Sequence, residues 1–395
     1  MAENFSKIPE GILRAVEKPG RYCGGEYGAV LKNKEDVKAR FAFCFPDTYE
    51  IGMSNLGIRI LYGVLNREDD IWCERVYAPW TDMEELMIKH GVPLTAQESG
   101  DPVADFDIVG FTLQYEMCYT NVLNMIKLAG LPLRAKDRTD DMPIIIGGGP
   151  CSYNPEPVAD FFDCFSIGEG EDALVEFTKL YINMKENGTY TRSAFLHEAA
   201  RSIGGIYVPS LYDVAYNDDG TVRSYTPVYD DIPVRIQKRI MKDMDKSYFP
   251  DKVVMPYIET VQDRIMLEVY RGCIRGCRFC QAGIIYRPVR EKSPEVLCRQ
   301  AKCLYENTGY DEISLSSLSI SDYTQIEKLT TDLLEWTDKN KVSLSLPSLR
   351  VDSFTKELMD KIATVRSSSL TFAPEAGTQR LRDVINKNVF EDDLK

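Results

Sequence analysis

The sequence predicts an α/β protein with two regions in which strands and helices alternate, separated by a segment of different character. Short apolar runs recur between stretches whose apolar residues follow helical spacing. Paired turn signals, Gly204-Gly205 and Asn217 to Gly220, mark the segment between the two regions. Strands that alternate with helices are typical of a parallel sheet covered on both faces.

Composition and charge restrict the function before any motif is considered. The chain has 395 residues, of which 44% are hydrophobic and 27% charged, as in ordinary globular proteins. No apolar run approaches the roughly 18 residues of a membrane span, and the charged N-terminus does not resemble a signal peptide, so we expect a cytoplasmic protein without membrane contact. The net charge of −14 disfavours nucleic acid as a partner without excluding it. Only two histidines are present, which argues against histidine-based catalytic or zinc sites.

The first region, with its N-terminal extension, covers residues 1–190. Residues 1–40 predict no clear element. Beyond them, apolar runs predict strands over 41–45, 108–113, 143–146 and 164–167, and helical spacing predicts helices over 54–66, 117–129 and 172–184. Residues 191–262 carry turn signals and short Val- and Tyr-rich runs, so we expect a connector with short strands.

The second region, residues 263–395, predicts four strand–helix units. Strands are expected over 265–270, 312–316, 342–346 and 370–372. Helices are expected to begin at Ser293-Pro294, where serine caps and proline starts a helix, and over 322–337, 353–362 and 378–387. Four units leave an exposed sheet edge, so the sequence predicts a barrel that is incomplete at its C-terminus. We therefore expect the chain to be less stable and less active than a longer form.

A cysteine cluster follows the first strand of this second region. Cys273, Cys277 and Cys280 have the spacing CxxxCxxC, and Gly272 and Gly276 allow the tight backbone path that brings three thiols together. The chain has 11 cysteines and no export signal, which favours metal or redox use over disulfides. Soft thiolates select zinc or iron–sulfur clusters. A structural zinc site takes four ligands, whereas three thiolates on a cubane cluster leave one iron open; zinc and simple burial remain alternatives.

With Phe279 as the aromatic residue before its last cysteine, this loop resembles the CxxxCxΦC motif of the radical S-adenosylmethionine (SAM) superfamily. The resemblance implies a [4Fe–4S] cluster on Cys273, Cys277 and Cys280, whose open iron chelates SAM. One electron, from a donor such as flavodoxin or ferredoxin, then yields a 5′-deoxyadenosyl radical that abstracts a substrate hydrogen. The implied SAM-site residues are Phe279, Ser317, Ser319, Arg350 and Glu375. Core packing for Phe279 and a surface turn for Glu375 are the alternatives.

The first region resembles cobalamin-binding domains of the flavodoxin or Rossmann type, whose landmarks are Asp-x-His-x-x-Gly, a later strand end and Gly-Gly. The matching positions here are Asp47, Tyr49, Gly52, Thr112, Gly147 and Gly148. Because Tyr49 stands at the histidine position, the chain cannot supply the usual lower axial ligand. Cobalamin would bind without a protein histidine, or the domain has lost it.

The expected function is a radical SAM enzyme, with or without the help of cobalamin, acting on a small-molecule or macromolecular substrate that the sequence does not identify. A non-catalytic iron–sulfur or zinc scaffold and an inactive fragment are the alternatives. Six arginines and one glutamate between Arg264 and Arg290 form a basic island, which is either a solvated rim or a stabiliser of thiolates and anionic ligands. Cys298 and Cys303 are expected to be inert core thiols of a helix.

Overall fold

The computed structural model describes residues 6–347 and 373–394. Contacts divide the chain into two compact units. Unit 1 comprises residues 1–240 and 254–261, and unit 2 comprises residues 241–253 and 262–395. The predicted connector, 191–262, is thus shared between the two units.

Unit 1 is built on a six-stranded sheet. Its strands, with those of a separate hairpin (β7 and β8), are β1 Ala39–Phe45, β2 Ile71–Tyr77, β3 Ile108–Thr112, β4 Ile144–Gly148, β5 Cys164–Ser166, β6 Ile206–Tyr207, β7 Tyr212–Tyr216 and β8 Val222–Pro227. Its helices are α1 Glu10–Leu13, α2 Tyr49–Met53, α3 Leu56–Asn66, α4 Thr81–His90, α5 Tyr119–Leu128, α6 Gly170–Glu186 and α7 Arg192–Ser202. The sheet order is β2-β1-β3-β4-β5-β6, with β1 to β5 parallel and β6 antiparallel. The parallel order 2-1-3-4-5 is the flavodoxin-like one, with its switch point between β1 and β3.

Strand β2 is absent from the sequence prediction because Glu74 and Arg75 interrupt its apolar pattern. All seven of its residues are nevertheless buried. Glu74 pairs with Arg40, and Arg75 pairs with Glu26 and Glu98, so the charges are neutralised inside the protein. Charged residues such as Glu74 and Arg75 therefore argue against a strand in the sequence, although they lie in a buried strand once their partners are in place.

The segment before β1, which we call the N-terminal arm (residues 6–38), contains helix α1, so the expectation of no clear element over residues 1–40 is wrong there. Ile8, Ile12 and Val16 join the core of this unit. The indole Nε1 of Trp72 in β2 donates to the carbonyl oxygen of Val30 at 3.0 Å. The arm thus covers strand β2, which is an edge strand of the sheet.

The first part of the predicted connector begins with helix α7 rather than with strands. Arg192 at the start of α7 donates from Nη2 to the carboxylate of Asp163 at 3.1 Å and to the carbonyl of Pro143 at 2.7 Å. The expected short strands follow the helix: β6 adds to the edge of the sheet, and β7 and β8 pair as a separate hairpin. The tertiary contacts of Arg192 thus fasten this helix to unit 1.

Unit 2 contains a parallel sheet in the order β13-β12-β9 and a small hairpin of β10 and β11. Its strands are β9 Ile265–Glu268, β10 Tyr270–Arg271, β11 Arg290–Glu291, β12 Glu312–Ser316 and β13 Ser343–Ser345, and its helices are α8 Ala282–Ile285, α9 Pro294–Thr308, α10 Ile326–Asn340 and α11 Gln379–Val384. Ser293 caps α9 as predicted, since its Oγ accepts from the Val296 N–H at 3.4 Å. The predicted helix 353–362 and strand 370–372 lie outside the described residues. In the part of the chain that the structure describes, no helix has the length and apolarity to cross a bilayer.

Candidate metal centre

The two faces of the parallel sheet in unit 2 differ sharply in character. Strand register aligns Leu267 with Leu315 on one face, and both side chains are fully buried. The same register aligns Met266 and Glu268 with Ser314 and Ser316 on the other face, and β13 adds Ser343 and Ser345 to it. We call these six residues the serine face. The alternation Ser-Leu-Ser in both strands is a sequence signal for it that strand prediction alone overlooks.

The cysteine loop begins immediately after β10. Cys273, Cys277 and Cys280 are free thiols of intermediate exposure. Gly272 has a φ of +99°, and a Cβ on it would lie 2.8 Å from the carbonyl oxygens of Pro288 and Tyr286. Only glycine fits this entry to the loop. Within residues 6–347 and 373–394, no three His, Cys, Asp or Glu side chains are grouped as ligands of one metal ion.

The segment that follows α11 fastens the cysteine loop in place. The backbone N–H of Arg278 donates to the carbonyl of Ile385 at 3.0 Å. The Nδ2 of Asn386 donates to the carbonyl of Gly276 at 2.8 Å. These bonds join the loop to residues more than one hundred positions later, and they hold the backbone between the cysteines.

Several arginines of the basic island are bound to protein groups. Arg271 donates to both carboxylate oxygens of Glu268, at 2.8 and 3.0 Å, and Arg275 donates from Nε to Asp322 at 2.9 Å. Arg290 donates to the carbonyl of Met241 at 2.7 Å. These contacts order the cysteine loop and its surroundings, so these three side chains are not merely a solvated rim.

Glu268 ends β9 on the serine face. Its carboxylate lies 3.5 Å from the Nζ of Lys292, which is fully buried and stands 4.4 Å from the ring centre of Phe249. Burial alone would raise the pKa of Glu268, but Arg271 and Lys292 outweigh it and lower that pKa. Glu268 is therefore a fixed anion beside the loop, although no sequence motif marks it as a site residue.

The residues expected to contact SAM lie in different settings. Phe279 is 55% exposed, so it is not a core residue. Ser317 and Ser319 follow β12, and the buried Oγ of Ser319 has no hydrogen-bond partner among the described residues. Glu375 has a φ of +66° and accepts from the Nζ of Lys387 at 3.1 Å. Arg350 lies outside the described residues.

Three of the cobalamin-type positions surround the switch point of unit 1. Asp47 follows β1 and accepts from the Thr48 N–H at 2.8 Å, and Thr112 ends β3 and accepts from Gln114. Tyr49 is 1% exposed, and its hydroxyl donates to Oε1 of Glu26 at 3.0 Å. Burial, with the nearby charge of Glu26, raises the pKa of Tyr49 well above its ordinary value. The side chain at the histidine position is thus a neutral phenol held inside the protein.

Two of the three glycines at the cobalamin-type positions, Gly52 and Gly147, face aromatic rings. A Cβ on Gly52 would lie 2.3 Å from the ring of Tyr77, and one on Gly147 would lie 2.8 Å from the ring of Phe165. A Cβ on Gly148 would meet nothing nearer than the carbonyl oxygen of Ser166 at 3.9 Å. Packing of the protein's own side chains therefore explains Gly52 and Gly147.

Comparison with protein families gives two matches. The family described as radical SAM proteins, N-terminal, matches residues 57–209, and the radical SAM superfamily matches residues 267–395. An uncharacterized protein of Methanocaldococcus jannaschii is 28% identical over 89% of this chain and 64% of its own length. A putative methylthiotransferase of the same organism is 25% identical over 30% of this chain and 27% of its own length.

Solved structures show the same architecture. The radical SAM methyltransferase TsrM from Kitasatospora setae, with tryptophan and a SAM analogue bound, aligns with a TM-score of 0.54 over 90% of this chain and 62% of its own, at 11% identity. The same protein with cobalamin and a [4Fe–4S] cluster gives a TM-score of 0.50 over 82% of this chain and 57% of its own, also at 11% identity. The chain thus spans less than two thirds of the length of these relatives.

The two family matches and this architecture agree with the cysteine loop and with the flavodoxin-like order of the first sheet. The fold is an N-terminal α/β unit of the cobalamin-binding type followed by part of a (βα) barrel. Both halves of the chain are recognised by the same superfamily, and the chain accordingly belongs to the radical SAM proteins, whose cofactors are a [4Fe–4S] cluster and SAM.

Proposed function

We propose that the protein is an enzyme that holds a [4Fe–4S] cluster on Cys273, Cys277 and Cys280 and cleaves SAM reductively to a 5′-deoxyadenosyl radical. The observation that carries the proposal is the set of three free, partly exposed thiols on one anchored loop next to β9. Soft thiolates suit iron–sulfur clusters, and three of them leave one iron for an exogenous ligand.

Residues in and near the cysteine loop have the chemistry needed to hold a [4Fe–4S] cluster and SAM. The cluster, when bound, supplies the electron for cleavage of the sulfonium bond. Cys273, Cys277 and Cys280 would hold it, and Gly272 admits the backbone turn at the start of their loop. Ser319, whose buried Oγ lacks a partner among the described residues, would accept from the amino group of SAM.

Glu268 and the serine face favour a substrate with hydrogen-bonding groups. The hydroxyls of Ser316 and Ser345, which end β12 and β13, can both donate and accept hydrogen bonds. Ligands of open α/β sheets bind at the carboxyl ends of the strands. The charged contacts of Glu268 with Arg271 and Lys292 fix it in one position beside these hydroxyls.

Anaerobic reconstitution with iron and sulfide tests the proposal. We expect iron–sulfur absorption and, after reduction in the presence of SAM, formation of 5′-deoxyadenosine. Cys280→Ala should abolish the product and lower bound iron. Cys298→Ala, which changes a partly exposed thiol of α9 rather than the core thiol expected there, should leave both unchanged.

Two results would contradict the proposal. A sample that binds zinc and shows no iron–sulfur absorption would favour a structural metal site. A cluster-loaded sample that forms no 5′-deoxyadenosine would favour a non-catalytic iron–sulfur scaffold or an inactive fragment.

A further inference from the structure

We propose that unit 1, despite its cobalamin-binding type of fold, does not bind cobalamin at the switch point of its sheet, because the protein's own side chains occupy the positions that the cofactor needs. The N-terminal arm supplies part of this filling, and aromatic rings supply the rest. This inference concerns unit 1 and goes beyond the SAM chemistry proposed for unit 2.

The first observation is that Tyr49, at the position of the usual ligand histidine, is already engaged by the protein itself. The ring of Tyr49 packs edge-on against Tyr77 with the ring centres 5.3 Å apart. Its hydroxyl donates to Glu26 at 3.0 Å and accepts from the N–H of Tyr257 at 3.4 Å. A phenol that is held neutral and engaged on both sides is not a ligand for cobalt.

The partner of Tyr49 is itself fixed. Glu26 belongs to the N-terminal arm, and its carboxylate accepts from Nη2 of Arg75 at 3.0 Å. Both side chains are buried, so moving Glu26 aside would remove one of the two carboxylates that neutralise the buried Arg75. The Tyr49–Glu26–Arg75 chain of contacts therefore resists opening.

The second observation is that aromatic rings fill the space beside two of the three glycines at the cobalamin-type positions, Gly52 and Gly147. Beside Gly52 the Tyr77 ring lies where a methyl group would overlap it, at 2.3 Å. Beside Gly147 the Phe165 ring packs with Phe162, whose ring centre is 4.9 Å away. Any group placed beside Gly52 or Gly147 would therefore have to displace these rings from a close-packed core.

The third observation is that the arm also fastens the helix that carries Tyr49. Arg21 of the arm donates to Glu50 of α2 at 2.8 Å, and the carbonyl of Arg21 accepts from Gln97 at 3.0 Å. Arm, helix α2 and sheet thus form one packed assembly at the edge where a ligand would enter.

The test measures cobalt bound to the full chain. The purified protein is incubated anaerobically with hydroxocobalamin and passed over a desalting column, beside a chain-free blank and a known cobalamin-binding protein. We expect cobalt at the level of the blank, and no rise in the melting temperature of unit 1 with added cobalamin, since a ligand of the folded state would raise it.

Two variants sharpen the test. Tyr49→His restores an imidazole at the axial position, and Tyr49→Phe keeps the ring without it; we expect background cobalt for both, because the space beside Gly52 and Gly147 stays filled. About one cobalt per chain in the unaltered protein would overturn the proposal, and so would cobalt bound by Tyr49→His alone. The unaltered protein decides the matter even if a variant does not fold.

Iron content and 5′-deoxyadenosine are measured on the same preparation without cobalamin. A chain that binds cobalt but forms no 5′-deoxyadenosine would refute the present inference and the proposed function separately. A chain that forms the product and binds no cobalt would support both.

Discussion

Among single residues, Gly272 has the most direct influence on the path of the cysteine loop. Its φ of +99° lies in the region that side-chain-bearing residues avoid, and carbonyl oxygens stand 2.8 Å from the place of a Cβ. Strain and overlap therefore act together at this position. The other cysteine-loop glycines have no positive φ, so Gly272 is the residue whose replacement separates backbone path from thiol chemistry.

We expect Gly272→Ala to lower the free energy of unfolding of unit 2 by about 1–3 kcal/mol and to lower iron incorporation. The measurement is urea denaturation combined with iron analysis after reconstitution. Gly309→Ala is the matched control, because Gly309 has a φ of +72° but nothing within 4 Å of a Cβ. Equal iron contents in the two variants would contradict a special role for Gly272.

Glu98 shows how a single buried carboxyl makes stability depend on pH. Its side chain is fully buried, and burial raises its pKa from 4.5 to about 7 although Arg75 opposes the shift. A carboxyl with a higher pKa in the folded than in the unfolded state binds its proton more tightly when folded. Its contribution to stability is therefore present at low pH and is lost as the pH rises from about 4.5 to about 7.

We expect Glu98→Gln to become more stable relative to the unaltered protein as the pH rises across this window, by at most about 1.4 kcal/mol per pH unit. The amide keeps the shape and an oxygen acceptor for the Arg75 contact but cannot ionise. Denaturation at several pH values between 5 and 8 measures the difference. A difference that does not vary with pH would show that Glu98 does not titrate in this range.

Among the elements, the N-terminal arm illustrates how a polar segment can become part of a fold. Its apolar residues Ile8, Ile12 and Val16 recur every four residues, which is the spacing of one helix face, and all three are buried in the core of unit 1 around helix α1. The arm also provides Glu26 for Tyr49 and the carbonyl of Val30 for Trp72. The arm thus covers the edge strand β2 and supplies part of the packing at the switch point of the sheet.

We expect Ile12→Ala to destabilise unit 1 by about 2–4 kcal/mol, because it removes buried methyl groups and leaves a cavity. Gly11→Ala, at the adjacent position with nothing within 4 Å of a Cβ, should have little effect or stabilise slightly. Chemical denaturation of the two variants provides the comparison. Indistinguishable stabilities would mean that the arm does not contribute to the core in solution.

The segment after α11 that holds the cysteine loop, residues 385–386, is a second such element, and we call it the strap. Asn386 has a φ of 56° and donates to the carbonyl of Gly276 inside the cysteine loop at 2.8 Å. Glycine at position 386 keeps the backbone free of strain and removes only the side-chain donor, so it isolates the hydrogen bond.

We expect Asn386→Gly to cost about 1 kcal/mol in the stability of unit 2 and to speed the loss of iron to a chelator. Asn340→Gly is a control, since its amide donates within α10 to the carbonyl of Trp336 and not to the loop. The rate of iron release to the chelator, measured by absorption, is compared for Asn386→Gly and Asn340→Gly. The same rate of loss in both variants would contradict the role of the strap.

For the whole molecule, charge is the property that most restricts its partners. The excess of 61 acidic over 47 basic residues repels polyanions, and the arginines near the cysteine loop whose contacts are described are occupied by protein groups. We therefore expect no measurable binding of bulk tRNA at physiological salt in a filter-retention assay. Retention that weakens steeply with added salt would reveal a phosphate-binding surface and refute the expectation.

The fold class and the central motif were predictable because their signals are local. Strand β12 lies where its apolar pattern predicts it, Ser293 caps α9, and the three cysteines occur within eight residues of one loop. The resemblance to radical SAM proteins, carried by this loop, is confirmed by both family matches. The roles of the individual site residues stay predictions.

By itself, the sequence determined the alternation of strands and helices, the helix caps and the thiol spacing, since each depends on residues a few positions apart. Tertiary structure alone decided that the charged strand β2 is buried, because Arg75 finds Glu26 and Glu98 only in the folded chain. It also decided that Tyr49 is enclosed by Glu26 and Tyr77, and that Asn386 holds Gly276 from 110 positions away. Pairings over such distances depend on which elements become neighbours, and that is set by the packing of the whole core rather than by local preference.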